Sequence, residues 1–290
     1  MSTVLIIGCG DIGWRVAGLH RARGDRVLGV VRTDASARRL RREGIEPVVL
    51  DLDRLAASLP AADLVYHFAP PQAEGTADVR SRALLARLPV PHRLVYISTS
   101  GVYGDHGGAW VDETTPPRPQ TDRARRRLDA EQQLLAWGGG HGAEVVILRV
   151  GGIYGPGRLP LERLDGMRVV CPDEAPHSNR IHADDLAMMC VLVAERGVAG
   201  EIYNAAADEP STMTDYFYAV ADAVGKPRPP CISMAEARRS FTPGMLSYLS
   251  ESRRMSTRKI KALGAQLRYP TLRTGLAACL AAVDPSGPRG

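Results

Sequence analysis

The sequence predicts an α/β protein of the Rossmann type, a doubly wound parallel sheet followed by a smaller, mixed C-terminal substrate region. Three observations predict it. Residues 4–7 (VLII) run straight into Gly8-Cys9-Gly10-Asp11-Ile12-Gly13 and then into a stretch of helical spacing. Short apolar runs and helical stretches alternate from there to about residue 150, the pattern of parallel strands with helices on both faces. Beyond residue 158 the alternation decays into shorter, irregular segments. The expected organisation is a dinucleotide-binding domain over 1–158 and a substrate-binding region over 159–283, part of which returns to the sheet. A flexible tail over 284–290 completes it.

The first strand and the glycine turn are the strongest local signal. Four consecutive apolar residues read as a strand buried on both faces. In the G-x-G-x-x-G that follows, Gly8 allows the tight turn, Gly10 lets the backbone approach a pyrophosphate, and Gly13 packs the helix on the strand. The amides of Asp11, Ile12 and Gly13, at the positive end of the helix dipole, would hold the pyrophosphate. The helix runs from Trp14 to Arg23 and stops at Gly24. A second strand spans 26–31 and ends at Arg32. A dinucleotide fold that selects NAD places a carboxylate there for the ribose 2′-hydroxyl. A guanidinium instead suits a 2′-phosphate, so NADP(H) is expected.

The chain continues with a helix over 36–43, a strand over 47–50 ending at Asp51-Leu52, and a strand over 63–69 closed by Ala69-Pro70. A helix to about residue 88 precedes a fifth strand, 93–97, that enters Ser98-Thr99-Ser100-Gly101. Residues 105–121 form a Gly- and Pro-rich loop, and a helix over 122–137 is expected to break at Gly138-Gly139-Gly140. The sixth strand, 144–150, opens into a second glycine-rich loop, 151–158. Strand-like 201–204 and a helix between Ser211 and Gly225 follow. Strand ends Asp51, Leu52, Ala69, Pro70 and Ser98 complete the expected cofactor contacts at the carboxyl edge of the sheet.

Composition bounds the function. The 290 residues are 44% hydrophobic, enough for a full core, and no apolar run reaches the ~20 residues of a membrane span. No charged-then-apolar leader precedes the first strand, so a soluble, cytoplasmic protein is expected. Five scattered cysteines without C-x-x-C spacing argue against a disulfide framework and a zinc site, and no metal is expected. The net charge of +5 comes almost entirely from arginine, with lysine only at 226, 259 and 261. The cluster Arg123, Arg125, Arg126 and Arg127 has acidic neighbours Asp122, Asp129 and Glu131, as on a solvated helix face. No nucleic-acid motif accompanies the charge.

The chain resembles the extended short-chain dehydrogenases/reductases of the NAD-dependent epimerase/dehydratase superfamily. The pieces that carry the resemblance are VLIIGCGDIG, YISTSGVYG, AEQQLL at 130–135, LRVGGIYGPGR, NRIHADDLA, IYNAAADEP and SRRMSTRKIKALG, in that order over residues 3–280. Two departures mark an atypical member. The glycine spacing is one residue shorter than the common G-x-x-G-x-x-G. The catalytic Tyr-x-x-x-Lys of the family, counted back from Glu131, falls on Arg123 and Arg127. A guanidinium cannot exchange a proton at neutral pH, so Arg127 could hold a nicotinamide ribose but Arg123 cannot replace a phenol.

The family's helper hydroxyl matches Thr99. Tyr103 and Tyr154, in glycine-rich turns, and His182, whose family counterpart is mainly structural, are the candidates for the missing acid. Arg158, Arg180, Arg253 and Arg254 fall in segments that face the substrate cleft of extended members. The resemblance implies an NADP(H)-dependent oxidoreductase acting on a carbonyl or hydroxyl of a polar small molecule, with a homodimer as the possible assembly. The alternatives are a redox-silent NADP(H) sensor or scaffold, and a non-redox lyase, isomerase or cyclase that reuses the cleft.

Overall fold

The protein is described by a computed structural model over residues 1–281. The tail expected over 284–290 lies outside the described residues. Seven strands form the central sheet: β1 (Thr3–Ile7), β2 (Arg26–Val31), β3 (Glu46–Val49), β4 (Leu64–His67), β5 (Arg93–Thr99), β6 (Glu144–Val150) and β7 (Ile202–Ala205). All pairings are parallel, in the order β7-β6-β5-β4-β1-β2-β3. The order reverses between β1 and β4, and ligands of such sheets bind outside the carboxyl ends of the strands at that switch.

Helices cover both faces: α1 (Asp11–Ala22) and α2 (Asp34–Arg42) on one, α3 (Val79–Leu85) and α4 (Asp122–His141) on the other. α5 (Ala183–Arg196) joins the first face. The side-chain alternation of β1 shows why. Val4 and Ile6 enter the core under α1, α2 and α5, while Leu5 and Ile7 enter the core under α3 and α4, and all four are fully buried. Each such side chain contributes roughly 1.5–3 kcal/mol by leaving water.

The rest of the chain builds a smaller layer beyond the carboxyl edge. It contains α6 (Met213–Ala223), α7 (Met234–Ser240), α8 (Pro243–Leu249) and α10 (Leu272–Ala281), whereas α9 (Arg258–Ala262) returns to the sheet and buries Ile260 in the core beside β7. Two-residue and three-residue strand pairs fasten it: Gly152–Tyr154 beside Arg180–His182, Val169–Val170 beside Cys231–Ile232, and Trp110–Val111 beside Arg254–Met255. α6 and α10 pack around Tyr154, Tyr216, Leu276 and Cys279.

The structure corrects three local expectations. The helix expected to reach residue 88 is shorter: α3 begins only after Asp78, whose carboxylate caps the amides of Arg80 and Ser81 at 3.0 and 3.1 Å. The triple glycine does not break α4, which runs through it to His141 and stops at Gly142 with φ +75°. Gly138 is instead a packing device. A Cβ there would lie 2.5 Å from Val145 Cγ2 and 2.8 Å from the Ala143 carbonyl, so its absence lets α4 close on β6. Finally, Cys171 and Cys231 form a disulfide between adjacent short strands. They lie 60 positions apart in sequence, so only the pairing of the strands carrying them reveals the contact.

The packing at Gly138 inverts the usual effect of filling a helical glycine. Gly138→Ala should destabilise the protein by ~1–3 kcal/mol through overpacking. Gly139→Ala, whose Cβ meets nothing within 4 Å, should stabilise it by ~0.5–1 kcal/mol. Chemical denaturation of both variants checks the sign.

Candidate active site

Gly8 turns the chain at φ +83°, and a Cβ there would lie 2.6 Å from the Ala69 amide nitrogen at the end of β4. Gly13 lets α1 press on β1, since a Cβ would lie 2.9 Å from Ile6 Cγ2. Gly10 differs from both. It is the N-cap of α1, makes no side-chain cap, and its Cβ position has nothing within 4 Å. The amides that open α1 therefore have no intrahelical carbonyl partner and face open space, as an anion site requires. Asp11 sits among them, but its carboxylate is held by Arg15 Nε and by Arg158 Nη1, each at 3.1 Å.

Around this turn the strand ends converge. Arg32 follows β2 directly and is exposed, and Thr33 behind it caps α2 by accepting from the Ser36 amide at 3.2 Å. Asp51 accepts from the Asp53 amide at 3.1 Å, and Leu52 packs against the core under α3 and α4. Ala69 donates its amide to the Ile7 carbonyl at 3.0 Å, with Pro70 next in the chain. Ser98 is buried, and its hydroxyl has no partner among the described residues. Thr99, half-buried, accepts from the Gly101 amide at 3.3 Å, which leaves its own hydroxyl hydrogen free to donate.

α4 crosses behind this edge. Glu131 and Arg149 form a buried ion pair at 2.8 Å. One helical step nearer the edge, Arg127 donates to the Tyr96 hydroxyl at 2.9 Å and to the Ile97 carbonyl at 2.8 Å. Another step on, Arg123 lies over the Tyr248 ring at 4.5 Å and donates to its hydroxyl. Burial pushes the Tyr96 phenol up to about 12, with Arg127 opposing that rise. His67, at the end of β4, packs on Tyr96 with ring centroids 5.1 Å apart. Its Nε2 lies 3.0 Å from Ser81 Oγ, whose hydroxyl donates to Asp78. That arrangement makes Nε2 the protonated nitrogen and leaves Nδ1 without a partner. Burial holds the His67 pKa down at about 3.

The tyrosines expected to replace the missing acid are not in the cleft. Tyr103 is fully buried, donates to Asn204 Oδ1 at 2.8 Å and lies under the Arg149 guanidinium, and burial raises its pKa. Tyr154 is fully buried against α10, its hydroxyl within reach of the Thr271 carbonyl, and burial raises its pKa as well. His182 is buried between Tyr154 and Tyr269 and accepts from the Asp184 amide at 3.2 Å, and burial lowers its pKa. Arg253 and Arg254 also leave the substrate role. Arg253 is buried and donates to the Gly104 carbonyl at 2.8 Å, and Arg254 donates to the Gly108 carbonyl at 2.7 Å. These bonds fasten the closing segment to the loop after β5.

Arg158 and Arg180 both line a cavity of about 880 Å³ walled by the segments after β6, by α6 and by α8. Arg180 stacks on Tyr216 at 4.1 Å, and the only hydrogen-bond partner of its side chain among the described residues is Met213 Sδ. No carboxylate neutralises it. Tyr248 lines the same cavity. His67 and Tyr248 carry no motif, and Tyr96, which opens YISTSGVYG, gave no sign in the sequence of its contact with Arg127. No cluster among the described residues could hold a metal ion, and none of their helices is long and apolar enough to cross a membrane.

A seven-stranded parallel sheet with an uncapped glycine turn at its switch point, and a second cavity beside it, defines a doubly wound α/β protein of the Rossmann type. The chain belongs to the NAD dependent epimerase/dehydratase family, whose pattern matches residues 4–206. It is 29% identical to Protein YeeZ of Escherichia coli over 93% of this chain and 97% of that one. A conserved protein of unknown function from Silicibacter pomeroyi superposes with a TM-score of 0.85 at 32% identity, covering 97% of this chain and 99% of the other. The human epimerase family protein SDR39U1, solved with NADPH, superposes with a TM-score of 0.75 at 20% identity, covering 97% and 100%.

Because folded His67 resists protonation while an unfolded histidine accepts a proton near 6.5, the unfolded state binds more protons between those values. His67 therefore withdraws stability as pH falls from about 6.5 toward 3. His67→Gln, which keeps a donor toward Ser81, should flatten that part of the stability curve, as measured by denaturation at stepped pH.

Proposed function

We propose that the protein is an NADP(H)-dependent oxidoreductase acting on a carbonyl or hydroxyl group of a polar small molecule. The observation that carries the reading is an open, uncapped helix start at Gly10 beside a second strand that ends on Arg32 with no carboxylate at its tip. A guanidinium there binds a 2′-phosphate that a carboxylate would repel. The NADPH of the human relative supports the same cofactor class.

The residues fit the group. The amides of Asp11, Ile12 and Gly13 would hold the pyrophosphate, and Gly8 and Gly10 would admit it. Arg32 would hold the 2′-phosphate, with Asp51 and Leu52 beside the adenine. Ala69, Pro70, the unpartnered Ser98 hydroxyl and Arg127 would flank the nicotinamide half. Bound there, the dinucleotide supplies or accepts a hydride. Thr99, with its hydroxyl hydrogen free, would polarise the substrate oxygen. Arg180, without a counter-ion, would take an anionic group of the substrate in the 880 Å³ cavity. Arginine at both 123 and 127 also favours a second reading, a redox-silent NADP(H)-binding sensor that binds the dinucleotide without turnover.

Fluorescence titration with NADPH and with NADH tests the reading. NADPH should bind in the micromolar range and NADH much more weakly. Arg32→Ala should cost NADPH ~10–100-fold while leaving NADH unchanged, the value of a charge-assisted hydrogen bond or two. Gly10→Ala should weaken binding without lowering the melting temperature, because the added Cβ meets nothing within 4 Å. Equal affinity for both nucleotides, or none for either, overturns the NADP(H) assignment.

A further inference from the structure

We propose that Tyr248 is the proton donor of this site, positioned by Arg123; this rests on the reading of the protein as an NADP(H)-dependent reductase. Every other candidate acid is buried and committed: Tyr103 to Asn204, Tyr154 to the α10 side, His182 to its tyrosine sandwich. Tyr248 is 52% exposed and lines the 880 Å³ cavity. It sits on α8, a helix with no buried residue, so its placement comes from contacts at its surface.

The decisive contact is with α4. Arg123 occupies the position where the resemblance expects the family's phenol. It stacks on the Tyr248 ring at 4.5 Å and donates to the phenolic oxygen. The first turn of α4 lies against the turn that carries Thr99: a Cβ on Gly101 would be 3.5 Å from Thr99 Cγ2 and 3.6 Å from Ala124 Cβ. The geometry thus brings a phenol from the smaller layer to the helix end from which the sequence has lost one. Direction also matters. Because the guanidinium is the donor in the Arg123–Tyr248 bond and has no acceptor of its own, the phenolic hydrogen stays free for a substrate oxygen.

In the reaction, the substrate carbonyl carbon gains the hydride supplied by the reduced dinucleotide. The carbonyl π pair moves to oxygen, and that oxygen takes the phenolic proton of Tyr248, leaving a phenolate beside the Arg123 guanidinium. Water reprotonates the phenolate, to which the half-exposed ring is open. The oxidation direction runs the same transfers in reverse.

The test uses the full chain carrying 3-fluorotyrosine, with the Tyr248 fluorine resonance assigned by its loss in Tyr248→Phe. NADPH and NADP⁺ differ in charge only at the nicotinamide ring. The Tyr248 resonance should therefore take two different positions in the two complexes, and Arg123→Ala should remove that difference while NADPH affinity stays within a few-fold. Tyr248→Phe should also lower kcat by ~10²–10⁴-fold, the usual contribution of a general acid, with nucleotide affinity unchanged. Binding of both nucleotides with one common Tyr248 shift, or wild-type kcat in Tyr248→Phe, overturns the proposal and leaves the cofactor reading standing. Failure of both nucleotides to bind overturns the cofactor reading, and the proposal falls with it.

Discussion

The arrangement of the cleft depends on the ion pair between Glu131 and Arg149, each about 2–3% exposed. Two charges taken out of water are costly unless each is fully matched, and a pair left half-broken is worse. Glu131 receives Nε and Nη2 of Arg149, so α4 can occupy only one rotation and one height against β6. The arginine then spreads over the Tyr103 ring, Tyr103 donates to Asn204 on β7, and Asn204 donates to the Ser256 carbonyl of the closing segment. One buried charge pair thus ties together α4, two neighbouring strands, the turn after β5 and the segment around Ser256.

Helical geometry carries that constraint to the active edge. Residues 123, 127 and 131 are four apart and share a face. With Glu131 directed into the sheet, Arg127 meets the Ile97 carbonyl at the end of β5, and Arg123 reaches Tyr248, which lines the cavity. Positions 123 and 127 of that row are both arginine, two permanent cations. Such a row can hold, orient and stabilise negative charge, but it cannot release a proton near neutral pH.

The sheet was legible in the sequence because its inner strands are buried on both faces and so read as unbroken apolar runs; β2 and β6 begin and end where the residues predict. The glycine turn was legible for the same reason, since strand, turn and helix each impose their own spacing. Legibility failed where a residue's role depends on a partner distant in sequence. Gly138-Gly139-Gly140 carries a breaker's composition, yet Val145 needs the room that Gly138 leaves. Tyr103 and Tyr154 occupy glycine-rich turns at the carboxyl edge, yet their rings point into cores closed by Asn204 and by α10. Cys171 meets Cys231 only because two-residue strands pair. No period in the sequence encodes such contacts.

The two layers communicate through Asp11. A carboxylate in the first turn of α1 is favourable for the helix dipole but unfavourable for a phosphate arriving at the same amides. Arg15 from within α1 and Arg158 from the loop after β6 neutralise it together. Arg15 also bridges to Asp184 at the start of α5, and Arg158 also lines the cavity. The anion-attracting character of the glycine turn is therefore set partly by residues that belong to the substrate side. An anionic substrate that drew Arg158 away from Asp11 would leave that carboxylate less screened beside the phosphates. On the proposed reading, occupancy of the cavity and affinity at the turn would be coupled through that 3.1 Å contact, equally in both directions by linkage.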